Sequence, residues 1–186
     1  YVSGISAQLK SACILAALNS YGVTNIYENF KSRNHTENML KKNIGVIKIT
    51  KDKNIKIFGK QNLNNFKIDV PNDPSSAAFF TALTLLTEKS SLNIRSVGLN
   101  PRRIGFYKIL KRSGAKIFFR NKKRINGEIV GDLLIKSSKL KPLNSTVSEF
   151  STMVDEFPIL FVIASFIPGV STFRGIDDLK NKESDR

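Results

Sequence analysis

An α/β fold built from repeated strand–helix–strand–helix–strand–strand units is what this sequence predicts, and three observations predict it. Helix-like and strand-like segments alternate along the chain, each with its own apolar spacing. The stretch TNIYENFKSRNHTENMLKKNIGVIKI matches LNIRSVGLNPRRIGFYKILKRSGAKI element for element, at a spacing of roughly 70 residues. Hairpins at Lys51–Asn54 and Asn121–Gly127 are turn-rich and unlike the long crossovers that parallel strands require. A unit of this size favours an α/β repeat fold over a solenoid of short repeats.

The elements follow in order. Leu9–Leu18 reads as an apolar helix opening at Ser6-Ala7-Gln8, and Val23–Glu28 as a strand. Asn34-His35-Thr36-Glu37 has capping-box spacing before a short helix, and Val46–Thr50 and Ile55–Phe58 read as strands. Phe66–Val70 alternates like another strand. Asp73 then caps a helix that carries Pro74 in its first turn and runs through Ala77–Leu86. The second copy continues with strand Ser91–Val97, helix Ile104–Lys111, and strands Ala115–Phe119 and Val130–Lys136. A third copy opens at Asp155 with helix Phe157–Ile167, strand Val170–Arg174 and a polar turn at Asp177–Glu183.

Composition narrows the function classes. No stretch reaches the roughly eighteen apolar residues of a membrane span; the best run, Phe157–Ile167, contains Pro158. The single Cys13 excludes an internal disulfide and a Cys-rich metal site, fits a reducing compartment, and reads as a core residue of its apolar helix. Thirty Lys plus Arg against fifteen Asp plus Glu give a formal charge of +15, which attracts polyanions: nucleic acid or a phosphorylated small molecule. Lys, Asn and Ile are abundant together throughout and the charges form no single block, so composition bias accounts for most of the surplus. The chain starts at Tyr1 and stops in a charged run at Arg186, which reads as a segment of a longer protein.

The repeat also places chemistry. The first helix of each copy starts with small or polar residues: Ser6-Ala7-Gln8, Ser75-Ser76 and Asp155-Glu156. The second starts near a cation: Arg33, Arg102 with Arg103, and Lys180 with Lys182. Helix starts offer unpaired amides and a partial positive charge, so such ends brought together make a basic pocket for a small polyanion. Ordinary caps with solvated cations are the competing reading of each turn taken singly.

The motifs SAQLKSACILAAL, SRNHTENML, VPNDPSSAAFF, NPRRIGF, MVDEFPIL and NKESDR, in this order and spacing, resemble those of the 5-enolpyruvylshikimate-3-phosphate synthase family, and of its bacterial second class in particular. The resemblance runs the full length. It implies the inside-out α/β barrel of the enolpyruvyl transferases, in two lobes of three βαβαββ units each. Residues 1–70 would be the C-terminal part of one lobe and 71–186 the N-terminal part of the other, both incomplete. It also implies transfer of the enolpyruvyl group of phosphoenolpyruvate to shikimate 3-phosphate in a cleft that closes on its substrates.

Site residues follow from the same resemblance. Ser6, Ala7 and Gln8 match the turn that holds shikimate 3-phosphate, with Gln8 also near phosphoenolpyruvate. Ser32 and Arg33 match a second shikimate 3-phosphate turn, where a guanidinium fork suits phosphate. Asp155 matches the carboxylate beside the shikimate 5-hydroxyl, Lys182 a lysine at the reacting centre, Glu183 a carboxylate in proton transfer at the methylene carbon, and Arg186 an arginine that binds phosphoenolpyruvate. Two carboxylates among cations suit an addition–elimination that needs a base, an acid and charge neutralisation, without metal, cofactor or covalent nucleophile. His35 has a substrate contact and a first-turn role open to it, Asp178 is a weak substrate contact, and Arg102 and Arg103 have a structural role open to them. The expected protein is a cytoplasmic monomer with small-molecule substrates, bound neither to membrane nor to nucleic acid. Phosphate and arginine motifs of the family lie outside these residues, so the isolated 186 residues are expected to be inactive. Two alternatives are carried: UDP-N-acetylglucosamine enolpyruvyl transferase, suggested by Thr36-Glu37-Asn38 but lacking its sugar-nucleotide motifs, and a basic nucleic-acid-binding module, which requires exposed aromatics on a basic face.

Overall fold

A computed structural model describes residues 6–29, 31–43, 45–50, 54–65 and 67–181. The chain divides into two units, Tyr1–Asp69 with Ile125–Glu128, and Val70–Arg124 with Ile129–Arg186.

In the first unit, α1 (Ala7–Asn19) starts at Ser6, whose Oγ accepts from the Leu9 amide at 3.1 Å and satisfies one otherwise unpaired N–H of the first turn. Then come β1 (Val23–Ile26), α2 (His35–Leu40), β2 (Ile47–Ile49) and β3 (Ile55–Phe58). β3 is the middle strand, antiparallel to both neighbours, with Ile26 opposite Ile55 and Ile47 opposite Ile57. Its alternation turns Ile55 and Ile57 inward and Lys56 outward. Those isoleucines join Ile14, Ala17, Ile26 and Leu40 in the core, against which Cys13 packs as expected of a core residue. The chain leaving β3 closes the end of α1: Gly59 donates to the Gly22 carbonyl and Lys60 to the Leu18 carbonyl, each at 2.9 Å. Contact there is so close that a Cβ on Gly59 would stand 1.8 Å from the Ser20 carbonyl oxygen.

The second unit repeats the order. Asp73 caps α3 (Pro74–Leu86), accepting from the Ser76 amide at 2.8 Å, with Pro74 in the first turn where no N–H is needed. β4 (Ser91–Gly98), α4 (Gly105–Arg112), β5 (Lys116–Ile125) and β6 (Glu128–Lys136) follow, with β6 between β4 and β5. Asp132 on β6 accepts from the Ser96 amide at 2.9 Å and from Asn121 Nδ2 at 2.7 Å, holding two residues of positive φ on the flanking strands. α4 buries Phe106, Tyr107, Ile109 and Leu110 and places Lys111 and Arg112 in its last turn, where cations suit the helix dipole. Arg112 grips Glu149 at 2.7 and 3.2 Å, and Glu149 closes a capping box with Thr146 at the start of a 3₁₀ segment, Val147–Thr152. A 3₁₀ turn at Val154–Glu156 leads into α5 (Phe157–Ser165), whose Phe157 stacks on Phe150 at 5.5 Å. A last 3₁₀ turn spans Asp177–Asn181.

Several sequence expectations need correction. Phe66 lies outside the described residues, and residues 67–70 form no strand; Ile68 and Val70 are exposed, and the bridge comes later, from Asn72 in parallel to Val97. Val170–Arg174 likewise reduces to one parallel bridge, Asn144 to Thr172. Alternating apolar residues are not enough where ladder partners are few. The Asn121–Gly127 hairpin is tighter than expected: β5 continues to Ile125 and the turn is Asn126-Gly127, both at positive φ, as a two-residue type I′ loop demands. Asn34 makes no side-chain cap to α2; its side-chain amide donates to Asn38 Oδ1 at 3.4 Å, and Glu37, the other half of the expected box, is turned inward to Lys10.

Two outcomes test this packing. Gly59→Ala should destabilise the first unit by about 2–3 kcal/mol, since backbone and not a flexible side chain blocks the new methyl; urea unfolding would show it as a lowered midpoint. The second concerns acid. Arg112, and after it the Thr146 amide, hold the Glu149 carboxyl below its usual range; at Asp73, burial opposes the shift, but Ser76 and Arg103 prevail. A carboxyl lowered in the fold stabilises it above the unfolded value, about 4, and loses that stabilisation as pH falls through the folded value. Melting temperature should therefore be level from pH 7 to about 5, drop below about 4, and drop less steeply in Arg112→Met.

Candidate active site

Within the first unit the site is organised by Lys10. It lies in phase with Ile14 and Ala17, the buried stripe of α1, and its side chain is 0% exposed. An ammonium has three N–H donors, and three acceptors meet it: Glu37 Oε1 at 2.8 Å, Glu28 Oε1 at 3.2 Å and the Arg33 carbonyl at 2.6 Å. Both carboxylates are almost fully buried, at 3% and 4% exposed. Glu28 accepts in addition from the Ser32 hydroxyl at 2.6 Å and the Ser32 amide at 3.1 Å. The Lys10 amide bonds back to the Ser6 carbonyl at 3.2 Å. One residue thus joins the start of α1 to the turn that precedes α2.

Lys10 thus links the helix start that carries Ser6, Ala7 and Gln8 to the segment that carries Ser32 and Arg33. Ser6 uses its Oγ as a cap acceptor and keeps a proton to donate. Ala7 and Gln8 form the open end of α1, whose first turn holds no acid, so the local field favours an anion. Ser32 is buried, and its hydroxyl is committed to Glu28; a phosphate contact from it requires exchanging that bond. His35, half-exposed, places Nδ1 2.9 Å from Glu128 Oε1, which also accepts from Asn38 at 2.9 Å. Its place is the first turn of α2, held to Glu128.

The second unit handles its helix start differently. Asp73 takes the Ser76 amide and hydroxyl and pairs with Arg103 at 2.8 Å; Arg103 donates to Ser75 Oγ at 2.6 Å, and Ser75 donates to the buried Glu156. The start of α3 is thus filled by the unit's own carboxylates, and Arg103 has the structural role left open for it. Tyr107 seals the base: it is fully buried, donates to the Pro74 carbonyl at 2.6 Å, and has its ionisation pushed up by burial. Of the adjacent acids in DEFP, Glu156 points inward and Asp155 is exposed on the 3₁₀ turn. Asp178 is exposed on the last 3₁₀ turn. Lys182, Glu183 and Arg186 lie outside the described residues.

Sequence reading missed Lys10, Glu28 and the inward role of Glu37. A signal existed: a lysine four and seven positions before two core residues on an otherwise apolar helix has to be buried, and a buried lysine has to find acids.

Among the described residues no helix is long and apolar enough to cross a membrane. Comparisons with known proteins agree with one another. The profile of the family EPSP synthase (3-phosphoshikimate 1-carboxyvinyltransferase) matches residues 1–186. The chain is 44% identical over 184 residues to the 3-phosphoshikimate 1-carboxyvinyltransferase of Zymomonas mobilis subsp. mobilis, covering 97% of the chain and 41% of that protein. It is 42% identical over 185 residues to the one of Aquifex aeolicus, covering 97% and 43%. A solved EPSP synthase from Acinetobacter baumannii superposes with a TM-score of 0.86 at 38% identity, covering 97% of this chain and 40% of that one. The chain spans about two fifths of the length of the curated relatives it matches.

Lys10→Met should cost the first unit about 3–5 kcal/mol, because two buried carboxylates lose their cation; a denaturant midpoint unchanged from the parent would contradict the cluster. Ser75→Ala should cost the second unit about 1–3 kcal/mol by taking one donor from buried Glu156, read by the same unfolding measurement.

Proposed function

Because the chain belongs to the EPSP synthase family, we propose that the protein it is part of transfers the enolpyruvyl group of phosphoenolpyruvate to the 5-hydroxyl of shikimate 3-phosphate and releases inorganic phosphate. This is the step of the shikimate pathway that leads to chorismate and the aromatic amino acids. The observation that supports it most is the link that Lys10 makes between the acid-free helix start at Ser6-Ala7-Gln8 and the Arg33 carbonyl. A phosphate is what such a start attracts.

In this reading Ser6, Ala7, Gln8, Ser32 and Arg33 hold shikimate 3-phosphate, and Arg186 and Gln8 hold phosphoenolpyruvate. Asp155 takes the proton of the 5-hydroxyl as that oxygen adds to C2 of phosphoenolpyruvate, while an acid protonates the methylene carbon. In the second step the C–O bond to phosphate breaks and the methyl group gives a proton back. Glu183 serves the carbon, and Lys182 offsets charge at the reacting centre. No metal or organic cofactor enters these steps.

We assign residues 1–70 to the C-terminal part of one lobe and 71–186 to the N-terminal part of the other. The apolar face of α3, with Phe79, Phe80 and Leu83 each more than half exposed, suits a lobe in which a further unit packs against it. The full-length protein is read as a cytoplasmic monomer.

A phosphate-release assay with both substrates tests the activity. Full-length protein should turn over, the 186 residues alone should not, and Asp155→Asn should lower kcat by about 10²–10⁴-fold while leaving the melting temperature near the parent's. Absence of phosphate release from the folded full-length protein at saturating substrates would sink the proposal.

A further inference from the structure

We infer that Lys10 is a positioning residue for substrate: together with Glu28 it sets the Ser32–Arg33 turn against the start of α1, and so fixes the phosphate-binding geometry of the first unit. This rests on the reading of Ser6–Gln8 and Ser32–Arg33 as the shikimate 3-phosphate turns. Lys10 has no donor left for a ligand, since all three of its N–H groups have protein acceptors, so it acts through other residues. Residues 31–34 belong to no helix or strand, which means no ladder fixes their backbone. Side-chain bonding to two consecutive residues holds it. Lys10 takes the Arg33 carbonyl, and Glu28, itself gripped by Lys10, takes both the amide and the hydroxyl of Ser32.

The composition of the cluster points the same way. One carboxylate is enough to match one ammonium, and Glu37 at 2.8 Å does so. The second, Glu28, sits farther from Lys10, at 3.2 Å, and its closest bond is to the Ser32 hydroxyl, at 2.6 Å. The same Lys10 also ties back to the Ser6 carbonyl, so the distance between the two turns is set within one residue. A phosphate gripped by donors from both turns needs them placed to within about 0.5 Å, and a displacement of about 1 Å can cost two orders of magnitude.

The test uses the full-length protein with Lys10→Met and Glu28→Leu, the second chosen because it leaves Lys10 paired to Glu37 and so folds even where the first does not. Shikimate 3-phosphate affinity is measured by titration calorimetry, the KM for phosphoenolpyruvate at saturating shikimate 3-phosphate, and the melting temperature alongside. Expected is a loss of shikimate 3-phosphate affinity of about tenfold or more in each folded variant, with the phosphoenolpyruvate KM within about twofold of the parent. A folded Glu28→Leu protein that binds shikimate 3-phosphate as the parent does, with only its melting temperature lowered, overturns the positioning role and leaves the functional reading standing. A parent protein that binds no shikimate 3-phosphate overturns the functional reading, and this inference with it.

Discussion

An ammonium taken wholly out of water has to be met by acceptors on every N–H, and that requirement at Lys10 governs the first unit. Hydrophobic packing brings α1 down on β1 and β3 through Ile14 and Ala17, and the helical repeat then carries Lys10 into the interior whether or not it suits an apolar core. The chain answers with Glu28 from beyond β1, Glu37 from α2 and the carbonyl of Arg33 between them. Three segments separated in sequence are thereby held at one point. The desolvation of three charges makes this a poor source of net stability, but its geometry admits few alternatives, and a cluster of that kind specifies arrangement more than it adds free energy.

The two units carry the same succession of elements and use their helix starts in opposite ways. At α3 the cap is a carboxylate, neutralised by Arg103 and joined through Ser75 to Glu156. Negative charge already sits where the helix dipole wants it. At α1 the cap is a neutral serine, the first turn holds no acid, and the Glu28 and Glu37 carboxylates are bound to Lys10. Equivalent backbone geometry therefore yields a satisfied joint in one unit and an anion-seeking end in the other, and the difference lies in a few side chains.

Much of the architecture was legible. Asp73 with Pro74, the apolar stripe of α4 and the alternation of β3 each carry their own instruction, since caps, helical stripes and period-two burial depend only on neighbours in sequence. The strands expected over 67–70 and 170–174 failed because a strand is defined by the partner that completes its ladder, which alternation does not supply. The Glu37 half of the capping box at Asn34 failed for a related reason: that carboxylate is bound to a lysine distant in sequence. The net charge of +15 was equally mute, and the structure spreads part of it along β5, where Lys116, Arg120, Lys122, Lys123 and Arg124 are exposed on an outer strand that charge keeps from pairing with other chains.

From the residues alone came the order of elements, most helix boundaries and the family to which the motifs belong. That was so because propensity, capping and motif spacing are short-range properties, readable within a few residues. Folding in three dimensions settles which acid of DEFP faces inward, that Arg103 is bound to Asp73, and that Lys10 bonds to the Ser6 and Arg33 carbonyls. Those outcomes turn on which distant groups share a low-dielectric interior, where each buried charge selects its partners by distance in space and not by position along the chain.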